Sequence, residues 1–319
     1  MQIPGGGVKQ YVIKRVKRLF IPWFIVGSIF TIFNNTLIKL NILTTDIRFL
    51  NAVDGNSYGL DKVYTLTDTF QNLRKVIFFM SAPKISGAMW FLAVLFLTEV
   101  CYVILDYICK KVVKKHYSAM NLSMLLIYVV GVYFTMNNIV DKSGYRLNIV
   151  LLSIFLFHVG QKLSTYELMY RECNPILTIF FAIFVIYVFK ILKIESVRYV
   201  RGEIGGGVQL FLWSMAGWSL AYGASSIIEE DESLIENVLM YIGKRTLPIV
   251  LLHQISFKIV TYIQINIYKE PEYMLASFPV LYADNGWWLI YCVVGIGAPV
   301  FMYEMGNKIL VSINKNIKR

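Results

Sequence analysis

Long apolar runs separated by short polar segments make up most of the chain. A bilayer core is about 30 Å thick, so a spanning helix needs roughly 20 mostly apolar residues, and runs of this kind recur from one end of the sequence to the other. The pattern predicts an all-α fold: a polytopic integral membrane helix bundle with about eight transmembrane helices. The predicted spans are residues 19–38, 88–108, 119–137, 147–161, 174–192, 207–228, 247–267 and 286–306.

The polar segments are too short to fold alone, so we interpret residues 1–319 as a single membrane domain. The one long connection runs from about residue 39 to residue 87, on the predicted outer side. It ends in VIFFMSAPKISG, residues 76–87, an apolar piece that is too short to span and is broken by Pro83 and Gly87. We expect an interfacial or re-entrant segment here, because irregular backbone at membrane depth must lie against protein or a wet cavity.

Composition supports a membrane protein. Hydrophobic residues make up 57% of the chain and the mean hydropathy is +0.58, values too apolar for a soluble domain. The net charge of +11 comes from cations at the ends of predicted spans, and no nucleic-acid-binding motif accompanies them, which argues against a nucleic-acid partner. Four cations precede the first span: Lys14, Arg15, Lys17 and Arg18. Because Lys and Arg collect on the cytoplasmic side of spans, this cluster predicts a cytoplasmic amino terminus. With an even number of spans, both termini are expected in the cytoplasm.

Five polar side chains fall inside or at the end of predicted spans, where they are costly and therefore candidates for function. They are Glu99, His158, His253, Lys258 and Glu304. We expect Glu304 to pair with Lys308 four residues later, and His158 to be a hydrogen-bonded packing residue. Glu99 is a possible partner for Lys258. The four cysteines form no pair with metal-ligand or disulfide spacing, so no metal site is predicted.

Three segments, taken in order, resemble the acyltransferase-3 family of integral membrane acyltransferases. KRVKRLFIPW, residues 14–23, resembles the family's Arg-x-x-Arg segment that opens a helix. AMWFLAVLF, residues 88–96, is similar to its Trp-Phe-Leu helix start, and GKRTLPIVLLH, residues 243–253, to its Gly-Lys-x-Ser/Thr-Leu segment that ends in Leu-Leu-His. The resemblance implies transfer of an acyl group, usually acetyl, from cytoplasmic acyl-CoA to a hydroxyl of a glycan or lipid-linked sugar.

The resemblance also suggests which residues and partners to expect. Arg15 and Arg18 become candidates for holding the phosphates of acyl-CoA, a role that suits guanidinium groups, although topology signalling alone explains them equally well. Trp90, Glu99 and Lys258 are further candidates. Acyl-CoA, as acetyl-CoA, is expected as donor substrate and no cofactor as a permanent ligand. The other expected partners are the lipid bilayer, here a bacterial cytoplasmic membrane, and the glycan or lipid-linked sugar acceptor.

One departure from the family pattern concerns the base. Family members carry amino-terminal helices, one of which holds a histidine that serves as catalytic base, and this sequence begins just before the Arg-x-x-Arg segment. We therefore expect those helices to be missing and the chain to be a poor enzyme by itself, with His253 as the best remaining base. Two alternatives stay open: a polysaccharide or lipid-linked sugar transporter or flippase, and a non-catalytic shortened family member.

Overall fold

A computed structural model describes residues 7–52, 59–113, 116–139, 144–165, 174–195, 197–199, 202–229 and 234–317. Helices account for most of these ranges, which contain no strand, although Arg198 and Glu203 form an isolated β-bridge. In chain order the α-helices are α1 Gly7–Arg15, α2 Ile21–Ile32, α3 Asn34–Lys39, α4 Arg48–Ala52, α5 Leu66–Ile77, α6 Trp90–Val112, α7 His116–Met136, α8 Leu147–Thr165, α9 Pro175–Ile191, α10 Gly207–Glu229, α11 Leu234–Gly243, α12 Thr246–Tyr268 and α13 Trp287–Ile317. A π-helical turn covers Val16–Phe20, and 3₁₀ helices cover Lys84–Met89 and Glu272–Ala276.

Five helical segments of the described chain are long and apolar enough to cross a membrane. They are Lys84–Val112, His116–Met136, Leu147–Thr165, Thr246–Tyr268 and Trp287–Ile309. Each coincides with one of the spans predicted from the sequence, including 147–161, which was the shortest. The all-α character and the membrane assignment are confirmed.

None of the other three predicted spans is a single helix that is both long and apolar enough to cross a membrane on its own. Residues 19–38 are not one helix, because the π turn, α2 and α3 divide them. Pro22 explains the first break, since proline lacks an N–H and its ring would clash with the carbonyl four residues earlier in a regular helix. Residues 174–192 contain the apolar but shorter α9, and 207–228 contain α10, whose serines and glycines lower its hydropathy. A total of about eight spans therefore stays a prediction.

The chain divides into two compact units. The first comprises residues 1–20 and 91–238, and the second comprises residues 21–90 and 239–319. Each unit is thus assembled from two separate stretches of sequence. The interpretation of the whole chain as a single membrane domain stays a prediction.

Small residues bring helices together in the first unit. Gly131 on α7 lies so close to α8 that an added Cβ would be 3.0 Å from the Leu151 Cβ, and Gly223 on α10 is packed in the same way against Thr178 on α9. Such close approach is the usual way in which helices associate in lipid. Tyr128 on α7 stacks on Phe155 of α8, with ring centroids 4.4 Å apart.

In the second unit, α2 packs on α5 and α12 packs on α13. The Trp23 indole nitrogen donates to the Val76 carbonyl at 2.8 Å, and Gly27 lies against the Val76 side chain. The segment between α5 and α6 is irregular as expected: Phe79 has a φ of 58°, and a 3₁₀ helix then leads directly into α6. Gly295 on α13 leaves room for the Phe257 ring of α12.

Candidate functional site

The first candidate site surrounds Arg15, the last residue of α1. Its Nε lies 2.8 Å from the Oε2 of Glu99 on α6, and the two side chains are only 17% and 6% exposed. Arg15 also donates to the Tyr11 hydroxyl at 3.0 Å, one helical turn earlier. We call Tyr11, Arg15 and Glu99 the arginine cluster. Glu99, proposed from the sequence as a partner for Lys258, binds Arg15 instead.

The three cations next to Arg15 in the sequence differ from it in exposure. Lys14, Lys17 and Arg18 are exposed, while Arg15 is half-buried. The π turn separates the two arginines, because its i→i+5 geometry is wider than an α-helical turn and changes the angle between successive side chains. π turns occur frequently at functional sites. The arrangement is one fixed guanidinium beside three solvent-exposed cations.

His158 on α8 lies in a separate hydrogen-bonded group of the same unit. Its Nε2 is 2.9 Å from the Asn121 amide oxygen, and its Nδ1 is 3.2 Å from the Tyr102 hydroxyl. Because an amide oxygen can only accept, Nε2 carries the proton and Nδ1 accepts from Tyr102. Both ring nitrogens are thus occupied, which agrees with the packing role favoured for His158 from the sequence.

The second candidate site lies in the second unit around Lys258 of α12. This lysine is 5% exposed, and its ammonium donates to the carbonyls of Ser277 at 2.5 Å and Leu275 at 3.0 Å. Both carbonyls belong to the segment at the end of the 3₁₀ helix Glu272–Ala276. The partners of this amine are therefore neutral peptide groups, and no carboxylate lies within ion-pair distance of it among the described residues.

Lys258 belongs to a buried polar stripe of α12 that we define as Gln254, Lys258, Thr261 and Gln264. These residues follow one another at spacings of four, three and three, so they share one helix face. Thr261 and Gln264 both contact the Tyr291 hydroxyl, at 2.9 and 2.8 Å. Gln254, Thr261 and Gln264 were not predicted from the sequence, although the helical spacing of polar residues in an apolar run indicates such a stripe.

His253 precedes the stripe by one residue and is half-buried. Its Nδ1 lies 2.8 Å from the Ile249 carbonyl oxygen of the same helix. A carbonyl only accepts, so Nδ1 carries a proton. In the neutral imidazole the lone pair is then on Nε2, the nitrogen that is not bonded to the helix backbone.

Trp90 and Glu304 are the remaining residues that the sequence singled out. Trp90 is the first residue of α6 and is half-buried. Glu304 binds Arg245, whose Nε lies 2.6 Å from the carboxylate, so the predicted partner Lys308 is corrected to Arg245. Arg245 reaches Glu304 from the turn before α12 and offers two donors, whereas a lysine on the same helix offers a single point charge.

Within the described ranges, no three His, Cys, Asp or Glu side chains are grouped to hold a metal ion.

Comparison with known proteins gives one match. A family model described as an acyltransferase domain matches residues 2–304, a range that contains both candidate sites. No curated protein and no solved structure matches the chain significantly.

Proposed function

Because the chain belongs to the acyltransferase-3 family and is an integral membrane protein, we propose that this membrane acyltransferase moves an acetyl group from acetyl-CoA to a hydroxyl of a glycan or lipid-linked sugar. The family match supports acyl transfer in general. The donor, the acyl group and the acceptor are part of the proposal. The observation that carries it is the exposed cationic segment next to the half-buried Arg15 and its buried partner Glu99.

For donor binding, we assign the phosphates of coenzyme A to the exposed cations of this segment. Arg18 presents a planar guanidinium that can bind two phosphate oxygens at once, and Lys14 and Lys17 add positive charge beside it. Arg15 is a positioning residue, because its guanidinium is already held by Glu99 and Tyr11. In this proposal the arginine cluster fixes the end of α1, and the π turn carries Arg18 to the donor.

For the transfer step, His253 is the proposed base. Its Nε2 lone pair takes the proton of the acceptor hydroxyl while the hydroxyl oxygen attacks the thioester carbonyl. The carbon–sulfur bond then breaks, the acyl group stays on the acceptor oxygen, and the coenzyme A sulfur leaves and takes up a proton. No redox partner or metal enters this balance.

For topology, the proposal keeps about eight spans with both termini cytoplasmic in a bacterial cytoplasmic membrane. It adds the apolar helix α9 and the regions of α2–α3 and α10 to the five helices that are long and apolar enough on their own. The basic segment of residues 14–18 then lies on the side where acyl-CoA is made.

The test measures release of free coenzyme A by the purified chain in detergent, with acetyl-CoA and a glycan acceptor. Arg18→Gln is expected to raise KM for acetyl-CoA about tenfold, a change of about 1.4 kcal/mol. Lys17→Gln, in the same exposed turn, is the matched control and should change it much less. His253→Gln should lower kcat about 10²-fold or more with KM nearly unchanged.

Three results would contradict the proposal. Equal effects of Arg18→Gln and Lys17→Gln would indicate nonspecific charge, and full activity of His253→Gln would remove it as the base. Absence of acceptor-dependent coenzyme A release, together with movement of an unmodified lipid-linked sugar across vesicles, would favour a flippase.

A further inference from the structure

Three aromatic side chains of the second unit meet where α12 ends and α13 begins. Tyr268 is the last residue of α12, Trp287 is the first residue of α13, and Tyr282 lies in the connection between the two helices. The Tyr268 ring meets the Tyr282 ring at an angle of 87° with centroids 5.6 Å apart, and the Trp287 ring at 64° with centroids 6.2 Å apart. We call Tyr268, Tyr282 and Trp287 the aromatic corner, because their rings face in different directions.

Hydrogen bonds hold the aromatic corner in place. The Trp287 indole nitrogen donates to the Tyr268 hydroxyl at 2.8 Å, which joins the two helices. Gln264 of the polar stripe binds the backbone of Tyr282, since its amide nitrogen donates to the Tyr282 carbonyl at 2.8 Å. The fold therefore sets the orientation of the rings, and a ligand does not have to order them.

A carboxylate lies at the edge of the aromatic corner. The Tyr282 hydroxyl donates to Oε1 of Glu270 at 2.6 Å. This hydrogen bond, together with burial, raises the pKa of Tyr282, so the hydroxyl keeps its proton at neutral pH. Oε2 of Glu270 takes part in no hydrogen bond with the residues that the structure describes. The second oxygen is thus able to bind a positively charged group.

The aromatic corner is accessible, and its surroundings in the sequence are acidic. Tyr268 is 46% exposed and Tyr282 is 36% exposed. Residues 268–287 contain one cation and three carboxylates, which are Lys269 and Glu270, Glu272 and Asp284. This stretch is therefore negative in a chain whose net charge is +11, which favours a cationic ligand over an anionic one.

The position of the aromatic corner along the helices places it near phospholipid headgroups. Thr246–Tyr268 and Trp287–Ile309 are both long and apolar enough to cross a membrane. Such helices leave the hydrocarbon core near their ends, and Tyr and Trp are enriched at this level of a bilayer. Enrichment alone requires no particular arrangement of the rings, whereas these rings are joined to one another and to a carboxylate.

We propose that the aromatic corner and Glu270 form a binding site for the ammonium group of a zwitterionic phospholipid, with ethanolamine or choline in its headgroup. A cation of this kind is attracted to the faces of Tyr and Trp rings within about 6 Å of their centroids. Glu270 adds an opposite charge beside the rings. The residues of this site differ from those proposed for donor binding and acyl transfer, so the inference goes beyond the proposed function and does not depend on it.

Other lipid groups fit the aromatic corner less well. A phosphatidylglycerol headgroup has hydroxyls in place of the ammonium, and its net negative charge is repelled by Glu270. An acyl chain would pack on the rings but would leave the carboxylate without an opposite charge. An ammonium group uses the ring faces and the carboxylate together.

The test offers the full chain in detergent an equimolar mixture of dioleoyl phosphatidylethanolamine and dioleoyl phosphatidylglycerol. Native mass spectrometry then identifies the lipid in the complex that holds one lipid per chain. The wild type is expected to prefer the ethanolamine lipid, and Trp287→Leu, which removes one ring face, should lower the ratio about 3- to 10-fold. Trp288→Leu is the matched control, because Trp288 is 56% exposed at the next position and is not part of the aromatic corner.

Two glutamates give a second pair of variants. Glu270→Gln keeps the size of the side chain and removes its charge, so it should lower the ratio about 3- to 5-fold. Glu272→Gln is the control, since Glu272 accepts instead from the Asn41 amide at 3.2 Å, and it should leave the ratio unchanged. This pair decides the question if the melting temperature shows that Trp287→Leu is not folded.

Three outcomes overturn the inference. Equal or greater binding of the glycerol lipid by the wild type would show that the ammonium group is not recognised. Equal ratios for Trp287→Leu and Trp288→Leu would mean that these side chains act only as an aromatic belt. Equal losses for Glu270→Gln and Glu272→Gln would replace the site by a general effect of negative charge.

Discussion

Arg15 and Lys258 are both cations held inside their units, but they are stabilised in different ways. Arg15 has a carboxylate at 2.8 Å and a tyrosine hydroxyl at 3.0 Å. Lys258 has two backbone carbonyls, at 2.5 and 3.0 Å. The first arrangement joins two opposite charges, whereas the second joins an amine to neutral peptide groups.

The two arrangements differ in the groups that a substitution leaves without a partner. Removing one member of an ion pair leaves an uncompensated buried charge, which is strongly destabilising. Removing a lysine that binds carbonyls leaves neutral acceptors, whose desolvation costs less. The comparison therefore predicts unequal effects for substitutions that delete one charge in each unit.

Glu99→Ala is expected to have the largest effect. It leaves the Arg15 guanidinium 17% exposed without its carboxylate, so the free energy of unfolding should fall by about 3 kcal/mol or more. Reversible unfolding in mixed micelles measures this change. The double variant Arg15→Met/Glu99→Leu removes both charges and should recover most of the loss. A double variant as unstable as Glu99→Ala would mean that shape, and not charge, matters at this position.

Lys258→Met should cost less, about 1–2 kcal/mol, because it removes the charge and leaves the carbonyls of Leu275 and Ser277 without a donor. Lys269→Met, at the exposed end of the same helix, is the control and should stay within about 0.5 kcal/mol of the wild type. The same unfolding assay applies. A loss for Lys258→Met as large as that for Glu99→Ala would remove the distinction between the two cations.

The smallest effect is expected from an exposed pair of the second unit, Lys62 and Asp68. The hydrogen bond from Lys62 and the backbone of Thr65 lower the pKa of Asp68 from 3.8 to about 2. Because the folded-state pKa is depressed, the stabilisation is present above about pH 3.8 and is lost as the pH falls toward 2. The melting temperature of the wild type should exceed that of Asp68→Asn above this window and converge with it below. A constant difference across the window would show that the charge of Asp68 is irrelevant.

The sequence predicted the positions of helices better than it predicted which side chains pair with one another. Apolar run length was enough to find five spans, because the thickness of a bilayer sets it directly. At residues 19–38 run length gave no sign that the helix is interrupted, because Pro22 breaks the helix without changing the composition of the apolar run. Hydropathy averages over side chains and does not register a single missing N–H group.

Burial of polar groups was also predictable, but their pairing was not. Glu99 and Lys258 were both identified as costly inside a membrane, and both are buried. Their partners proved to be Arg15 and two backbone carbonyls, because helical spacing determines the face of one helix and contains no information about which helix or loop faces it. Glu304 shows the same limit, since Arg245 replaced the neighbour expected from i,i+4 spacing.

The ion pair of Arg15 with Glu99 has a consequence for biosynthesis. The two residues are 84 positions apart in the sequence. At about 5–20 residues per second, a ribosome needs several seconds to add Glu99 after Arg15. During that interval the guanidinium has no carboxylate, and burying it would leave an uncompensated charge. We therefore expect α1 to become buried only once α6 has been made.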